Sequence, residues 1–408
     1  MRELPDEKSD GMRLISVEKG RPLHDWHRLP RRIYKGDANW IPHLKQDVEK
    51  VFNPGKNKLL EAGAARRWVL YDTGGSAAGR IAAFINPATA RAGKFPAGGM
   101  GFFECIDDAA ASRLLLDTAR DWLEDQGMEA MEGPVNLGSR NMFWGLLIEN
   151  FTDPPVYGAN YNPPYYRRLL EDYGFRIYYK QLFFKRSLSV PAQPVFYAKL
   201  DRLAAEPGFE VRDGRGLSIE RIAEDFRAVY NDAWTDHEEY RPMSAEAALK
   251  ITRAMAPVMD RRIMLFAYHK DRPVGFFINL PELNGIFKHL DGNLNLLGKL
   301  KFLWHKRRRA VRTMTGITFG VVREFQGKGV EAAMVVHTEK RIAAPGLYRD
   351  LVLTWIGDFN PRMLHVCENL GAMNYRTSAT YRYLFDRNRP FERHPIMGGR
   401  AKTPPMSP

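Results

Sequence analysis

The segment GITFGVVREFQGKGVEAAMVVHTEKRI, Gly316–Ile342, joins a run of β-branched and aromatic residues to a helix-forming run through Gln326-Gly327-Lys328-Gly329. Glycines let backbone N–H groups approach a phosphate without side-chain interference, and the helix that follows directs its partial positive charge to the same point. A strand, a glycine turn and a helix in that order predict a pyrophosphate cradle at Gln326, Gly327, Lys328, Gly329 and Val330. It is not a Walker loop, because G-x-x-x-x-G-K-S/T is absent, and it is not a dinucleotide fingerprint, because G-x-G-x-x-G is absent.

Outward from this segment, the second half reads as a hairpin over Arg262–Asn279 turning at His269–Pro273. A strand at Thr315–Val322, a helix from Gly329 and a strand at Leu351–Ile356 follow. The first half reads alike, with strands at Arg67–Tyr71, Gly79–Asn86 and Gly101–Ile106 and a helix over Ala109–Gln126. The halves also share ordered markers. NPPYYRRLLEDYGFRIYYKQLFFKR (Asn162–Arg186) and NPRMLHVCENLGAMNYRTSATYRYLFDR (Asn360–Arg387) both run Asn-Pro, helix, Gly, aromatic strand. A weaker correspondence links His27–Leu44 to Glu224–Met243, each a helix followed by a loop. Such self-similarity predicts an α/β fold in two tandem lobes, each a mixed, mostly antiparallel sheet flanked by helices. The divisions expected are 12–190, 207–388 and a flexible tail at 389–408, with the joint in Ser187–Gly216.

The bulk properties narrow the classes. The 408 residues are 44% hydrophobic and 27% charged, an ordinary globular composition for two or three domains. No run approaches the roughly 18–20 apolar residues of a spanning helix, and the N-terminus lacks a signal-peptide core, which predicts a cytoplasmic protein. Cys105 and Cys367 lack the paired spacing of a zinc site, so no metal is expected. The net charge of +13 predicts an anionic partner.

The loop resembles that of the GNAT superfamily of acyltransferases, which reads Gln or Arg, two residues, Gly, one residue, then Gly or Ala. Gln326 and Gly329 match, while Glu331 stands where Gly or Ala is usual. Asn360 and Gly371 match the family's next helix boundaries. The resemblance implies acyl-CoA as co-substrate, gripped by Gln326–Val330 with Asn360, and a thioester carbonyl bound by backbone N–H near Val321 and Val322. Where many members carry a Tyr that protonates the CoA thiolate, this chain has Cys367, with Tyr375, Tyr381 and Tyr383 as the other candidate acids. The candidate bases by family position are Asp236, His237, Glu238 and Glu239.

In the first half the equivalent of the loop is GFFECIDDAAASRLL (Gly101–Leu115), with Asp107 and Asp108 where phosphates would have to sit, so that half is not expected to hold CoA. Its residues Glu104, Glu132, Asn136, Asn150, Tyr161 and Asn162 are candidates to line an acceptor pocket, or else turn-formers. The stretches FFECIDD, GPVN, GLLIENF, YNPPYY, QGKG and WIGDFNP resemble a bacterial family of tandem GNAT-like proteins that includes ceramide synthases. That resemblance implies transfer of an acyl group from acyl-CoA to a lipid amine such as a sphingoid base. The alternatives are N-acetylation of a small amine or protein lysine, and a non-catalytic tandem fold that binds a membrane or partner.

The segment Phe287–Met314 interleaves Leu294, Leu296, Leu297, Leu300, Phe302, Leu303 and Trp304 with cations from Lys299 to Arg312. It reads either as an anionic-membrane contact, with Trp304 at the lipid acceptor and peripheral association at the inner membrane, or as a surface helix with a normal buried face. No nucleic-acid recognition module surrounds it.

Overall fold

A computed structural model describes residues 8–9, 11–204, 207–235 and 242–398. Its strands, in chain order, are β1 (Lys8–Ser9), β2 (Met12–Ser16), β3 (Ala64–Tyr71), β4 (Ala77–Ile85), β5 (Ala97–Cys105), β6 (Ala130–Gly133), β7 (Leu146–Glu149), β8 (Arg176–Ser187), β9 (Phe209–Asp213), β10 (Met264–His269), β11 (Arg272–Pro281), β12 (Thr313–Val321), β13 (Asp350–Gly357) and β14 (Met373–Leu384). Among the described residues they form one sheet in the order β1-β2-β3-β4-β5-β6-β14-β8-β13-β12-β11-β10-β9, with β7 beside β14.

Most neighbours are antiparallel. The two parallel pairs are β5 with β6 and β12 with β13, one in each half. The local reasons are visible in the chain. Lys270 and Asp271 both take positive φ, which gives the β10–β11 hairpin its tight two-residue turn. The side chains of Asp108, Ser218, Ser244, Asn295 and Asn360 each accept an N–H at a helix start, and Gly174 closes the helix Tyr165–Tyr173 in the left-handed conformation.

The last strands are exchanged between halves. β14 completes the first half's sheet beside β6, β8 completes the second half's beside β13, and β8 and β14 pair with each other at the centre. Pairing both inner edges this way leaves no open strand between the halves. The cores follow the exchange: Ala379, Tyr381 and Tyr383 of β14 pack among Met100, Leu115, Leu123 and Tyr166 of the first half. The stretch Ser187–Gly216, expected as a joint, also carries a helix, Pro194–Ala204, whose Phe196 packs on Ala332, Val335 and Val336.

The second half's sheet carries helices on both faces. The front carries the helices Ile219–Ala233 and Ala245–Met255, with Trp234 against Gly320 and Phe276. The back carries the helices Val330–Thr338 and Pro361–Asn369, with Val330 against Gly275.

Candidate active site

β12 and β13 pair from Thr313/Asp350 to Gly316/Leu353 and then separate, although β12 runs on to Val321 and β13 to Gly357. At the point of separation β12 carries one extra residue, Ile317, between the pairs Asn279/Gly316 and Ile278/Thr318. The ladder to β11 decides which amides face the gap. The N–H of Val322 donates to the Val274 carbonyl at 3.0 Å. Because bonded and non-bonded pairs alternate in an antiparallel ladder, Gly320 and Thr318 also bond toward β11, while the main-chain groups of Phe319 and Val321 point into the gap. The side chains around the gap, Ile317, Phe319, Leu353 and Ile356, remain partly or largely exposed.

Where β12 ends, Arg323–Phe325 make one tight turn and the chain passes through Gly327 (φ 75°) and Gly329 (φ 100°) into the helix Val330–Thr338. Gln326 donates from Nε2 to the Val321 carbonyl at 3.1 Å, which pins the loop to the strand. The N–H groups of Gln326 and Lys328 are used inside the turn. Those of Gly327, Gly329, Val330, Glu331 and Ala332 donate to no acceptor among the described residues. Unpaired N–H groups at a helix start, beside an exposed Lys328, are an arrangement able to accept an anion. Glu331 in the first helical turn interacts favourably with the helix dipole and would oppose an anion placed there.

On the front face, beside the base of the gap, Tyr375 and Trp355 border Val352 and Phe183 and are covered by Val156 and Ala159 of the first half. Trp355 Nε1 donates to the Arg140 carbonyl at 2.9 Å, another tie from the first half. Gln181 and Arg376 lie on the same face and are buried, and neither is satisfied. Both carboxamide atoms of Gln181 and the Nε and Nη1 of Arg376 lack partners among the described residues, while Nη2 of Arg376 donates to the Asp153 carbonyl. Burial pulls the Arg376 guanidinium below its ordinary value. Glu282 is held by the N–H groups of Tyr157 (2.7 Å), Asn284 (3.2 Å) and Gly285 (3.1 Å), and burial pushes its carboxyl up. It therefore binds the halves together rather than standing free as a base.

No family model matches the chain. It is 26% identical over 395 residues to the protein named bacterial ceramide synthase from Caulobacter vibrioides, covering 92% of this chain and 98% of that protein. It is 25% identical over 364 residues to the protein named YghO from Escherichia coli, covering 86% of this chain and 90% of that one. Among solved structures, a tandem GNAT protein from the clavulanic acid biosynthesis pathway superimposes with a TM-score of 0.51 at 11% identity, covering 93% of this chain and all of that one. This chain has the tandem GNAT fold.

Within the tandem GNAT fold the predicted residues part company. Gln326, Gly327, Lys328, Gly329, Val330 and Val321 come together at the open end of the cleft, whereas the Val322 N–H is turned away and taken by Val274. Asn360 caps the helix Pro361–Asn369, its Oδ1 accepting from Met363 N at 3.2 Å, so its side chain serves the helix.

Cys367 is fully buried against Phe184 and Ala372, so it packs rather than facing the cleft, and burial pushes its thiol up to about 12. Tyr381 belongs to the first half's core and donates to Glu171 at 3.0 Å, a consequence of the strand exchange. Tyr383 packs there too. Asp236, His237, Glu238 and Glu239 lie outside the described residues. Tyr375 is the predicted acid that borders the cleft. Its hydroxyl has no partner among the described residues, and burial pushes it up to about 12.

The acceptor candidates do not converge. Glu104 is buried inside the first half, bound by Arg80 and by the hydroxyls of Tyr34 and Tyr166, because a buried charge must be paired. Asn136 donates to the Ser139 and Met142 carbonyls, and Asn162 holds both main-chain groups of Leu147, so both fix turns. Asn150 donates to Asp153 and to the Tyr375 carbonyl, and Glu132 pairs with Arg382. Tyr161 donates to Asp37 at 2.7 Å and to the Phe151 carbonyl at 3.1 Å, and Trp304 sits on an exposed helix. Gln181 and Arg376 carry no motif in the sequence, because both fall in aromatic strands. Their signal was a polar residue in phase with buried neighbours, as in Tyr179, Gln181, Phe183.

Proposed function

We propose that this tandem GNAT protein is an acyl-CoA-dependent N-acyltransferase and that its acceptor is a lipid amine, with a sphingoid base as the specific substrate. The observation that carries the reading is the open cleft between β12 and β13, with main-chain groups of Phe319 and Val321 on one wall and five unpaired amides at its end. A pantetheine arm can pair with Phe319 and Val321 as an added strand, its pyrophosphate on the amides of Gly327–Ala332, and no metal takes part.

The thioester then lies toward the base of the cleft, where the Phe319 N–H is available to the carbonyl oxygen, with Tyr375 and Trp355 beside it on the front face. The neutral amine attacks the thioester carbon, the C–S bond breaks as the C–N bond forms, and Tyr375 donates its proton to the departing thiolate. The amine's proton leaves to solvent, from which Tyr375 regains the proton it gave to the thiolate. Gln181 and Arg376 would orient the polar head of the acceptor, since each offers buried hydrogen-bonding groups beside Tyr375 and Trp355. A lipid acceptor is favoured by the apolar lining of Phe183, Val352 and Trp355 and by the likeness to a protein named bacterial ceramide synthase.

The test is to incubate the purified protein with palmitoyl-CoA or acetyl-CoA and sphinganine, following free thiol and product mass. Thiol release with formation of the N-acyl product is expected. No turnover with any sphingoid base and long-chain acyl-CoA would sink the lipid reading, and turnover with small amines alone would replace it.

A further inference from the structure

Helix Leu296–Arg307 is turned inside out relative to an ordinary surface helix. Its buried residues are Gly298 and Phe302, the latter packed among Leu283, Ile286, Phe287 and Leu290. Leu296, Leu297, Leu300, Leu303 and Trp304 are instead 76%, 69%, 57%, 58% and 50% exposed. At 100° per residue these five cover an arc of about 120° on the side away from Phe302, with Lys299 along one border and Lys301 and Arg308 along the other. The guanidinium of Arg308 lies 4.0 Å from the Trp304 ring centroid. At the C-terminal end a cavity of about 640 Å³ opens between this helix and the segment Met259–Arg262. Ile286, Leu303 and Val311 supply apolar walls, and Arg307 and Arg309, which make no ion pair among the described residues, stand among its cations. The carboxylate that lines it, Asp260, is already held by Arg262 and by the Tyr348 hydroxyl.

We propose that this helix docks the protein on an anionic phospholipid bilayer, its apolar arc sunk into the headgroup and acyl boundary and Arg307 and Arg309 drawing a lipid phosphate to the mouth of the cavity. Charge complementarity selects this occupant. A second copy facing the same arc across a two-fold axis would bring Lys299, Lys301 and Arg308 against their own equivalents, in a chain of net charge +13. A polyanionic surface with an apolar interior satisfies both the cations and the leucines. The proposal extends the acyl-transfer reading by naming the surface from which a lipid amine would be collected, but it rests on the helix and not on the cleft.

The test is vesicle co-sedimentation of the full chain without acyl-CoA, so its outcome is independent of turnover. Vesicles of phosphatidylcholine with phosphatidylglycerol should carry down the protein, and vesicles of phosphatidylcholine alone at least about 10-fold less, the difference shrinking with salt. Leu297→Glu/Leu300→Glu should reduce binding by about 10-fold or more with an unchanged unfolding midpoint, because both side chains are already in solvent. Arg307→Ser/Arg309→Asn should remove the preference for phosphatidylglycerol, Asn being chosen because Arg309 holds a positive φ. Equal binding to both vesicles, or none to either, overturns the proposal. So does a concentration-dependent dimer, seen by light scattering, that the leucine variant abolishes.

Discussion

In the first half, β5 and β6 pair from Ala97/Ala130 to Gly99/Glu132, and the chain after Gly133 then turns into the space beyond. Val135 N donates to the Met100 carbonyl at 2.7 Å, and the Val135 carbonyl oxygen lies where a Cβ on Gly101 would be, 1.8 Å away. In the second half, β12 and β13 pair through Gly316/Leu353, and no main-chain bond joins Phe319 or Val321 to β13 beyond that point among the described residues. The helix that follows differs in the same sense. Asp108 caps the first half's helix through Ala111 N at 2.8 Å, whereas the second half's helix begins at Gly329 with no side-chain cap. One parallel pair has become packing and the other has stayed a cleft, and the difference lies in which chain supplies the missing hydrogen-bond partners. A protein that satisfies its own amides has nothing left for a ligand.

The sharpest way to break this comparison is at the glycines. Gly101→Val should cost about 3–5 kcal/mol of stability in chemical denaturation, because main chain and not a movable side chain blocks its Cβ. Gly316→Ala, whose nearest obstacle is the Leu353 Cδ2 at 2.9 Å, should cost only about 1 kcal/mol. Equal costs would mean that the first cleft is not filled as described.

Gly327→Glu places a carboxylate among the unpaired amides. The space around that Cβ is open and only its φ of 75° opposes a side chain, so it should weaken CoA binding about 100-fold by calorimetry and lower the unfolding midpoint by no more than a few degrees. Gly329 is a poorer site for the same test, since a Cβ there meets the Lys199 carbonyl at 2.7 Å and would disturb the helix Pro194–Ala204.

The exchanged strand allows the halves to be separated residue by residue. Tyr375→Phe should lower kcat by about 10–100-fold at unchanged acyl-CoA affinity. Tyr381→Phe should leave kcat alone and cost about 1 kcal/mol, the worth of its bond to Glu171. A loss of turnover from the second and not the first would reverse the assignment of β14.

The smallest effect concerns pH and is confined to the first half. Burial raises the Glu49 carboxyl, but His27 at 2.8 Å and Arg67 at 2.6 Å outweigh it and bring it down to about 2 from 4.5. A depressed folded-state value contributes stability above pH 4.5 that is lost as pH falls toward 2. The unfolding midpoint of Glu49→Gln should therefore be lower at neutral pH and fall less steeply across that window.

Much of this was legible in the chain. The strand Thr315–Val322 with its glycine turn, the Lys270-Asp271 hairpin and the caps at Asp108 and Asn360 are local, set by neighbours within about four residues, so sequence alone determined them. The doubling of the fold and the glycine turn at the helix start followed from the same local patterns. Periodicity reports that a strand is half-buried but not which partner buries it. The exchange of β8 and β14 was invisible for that reason, and with it the placing of Tyr381 in the first half and Tyr375 beside the cleft. The filling of one cleft by Val135, the burial of Gln181 and Arg376 and the outward turn of the leucines on Leu296–Arg307 likewise depend on contacts between distant segments. Only the tertiary structure decided them, because each depends on which buried groups had already found partners elsewhere in the fold.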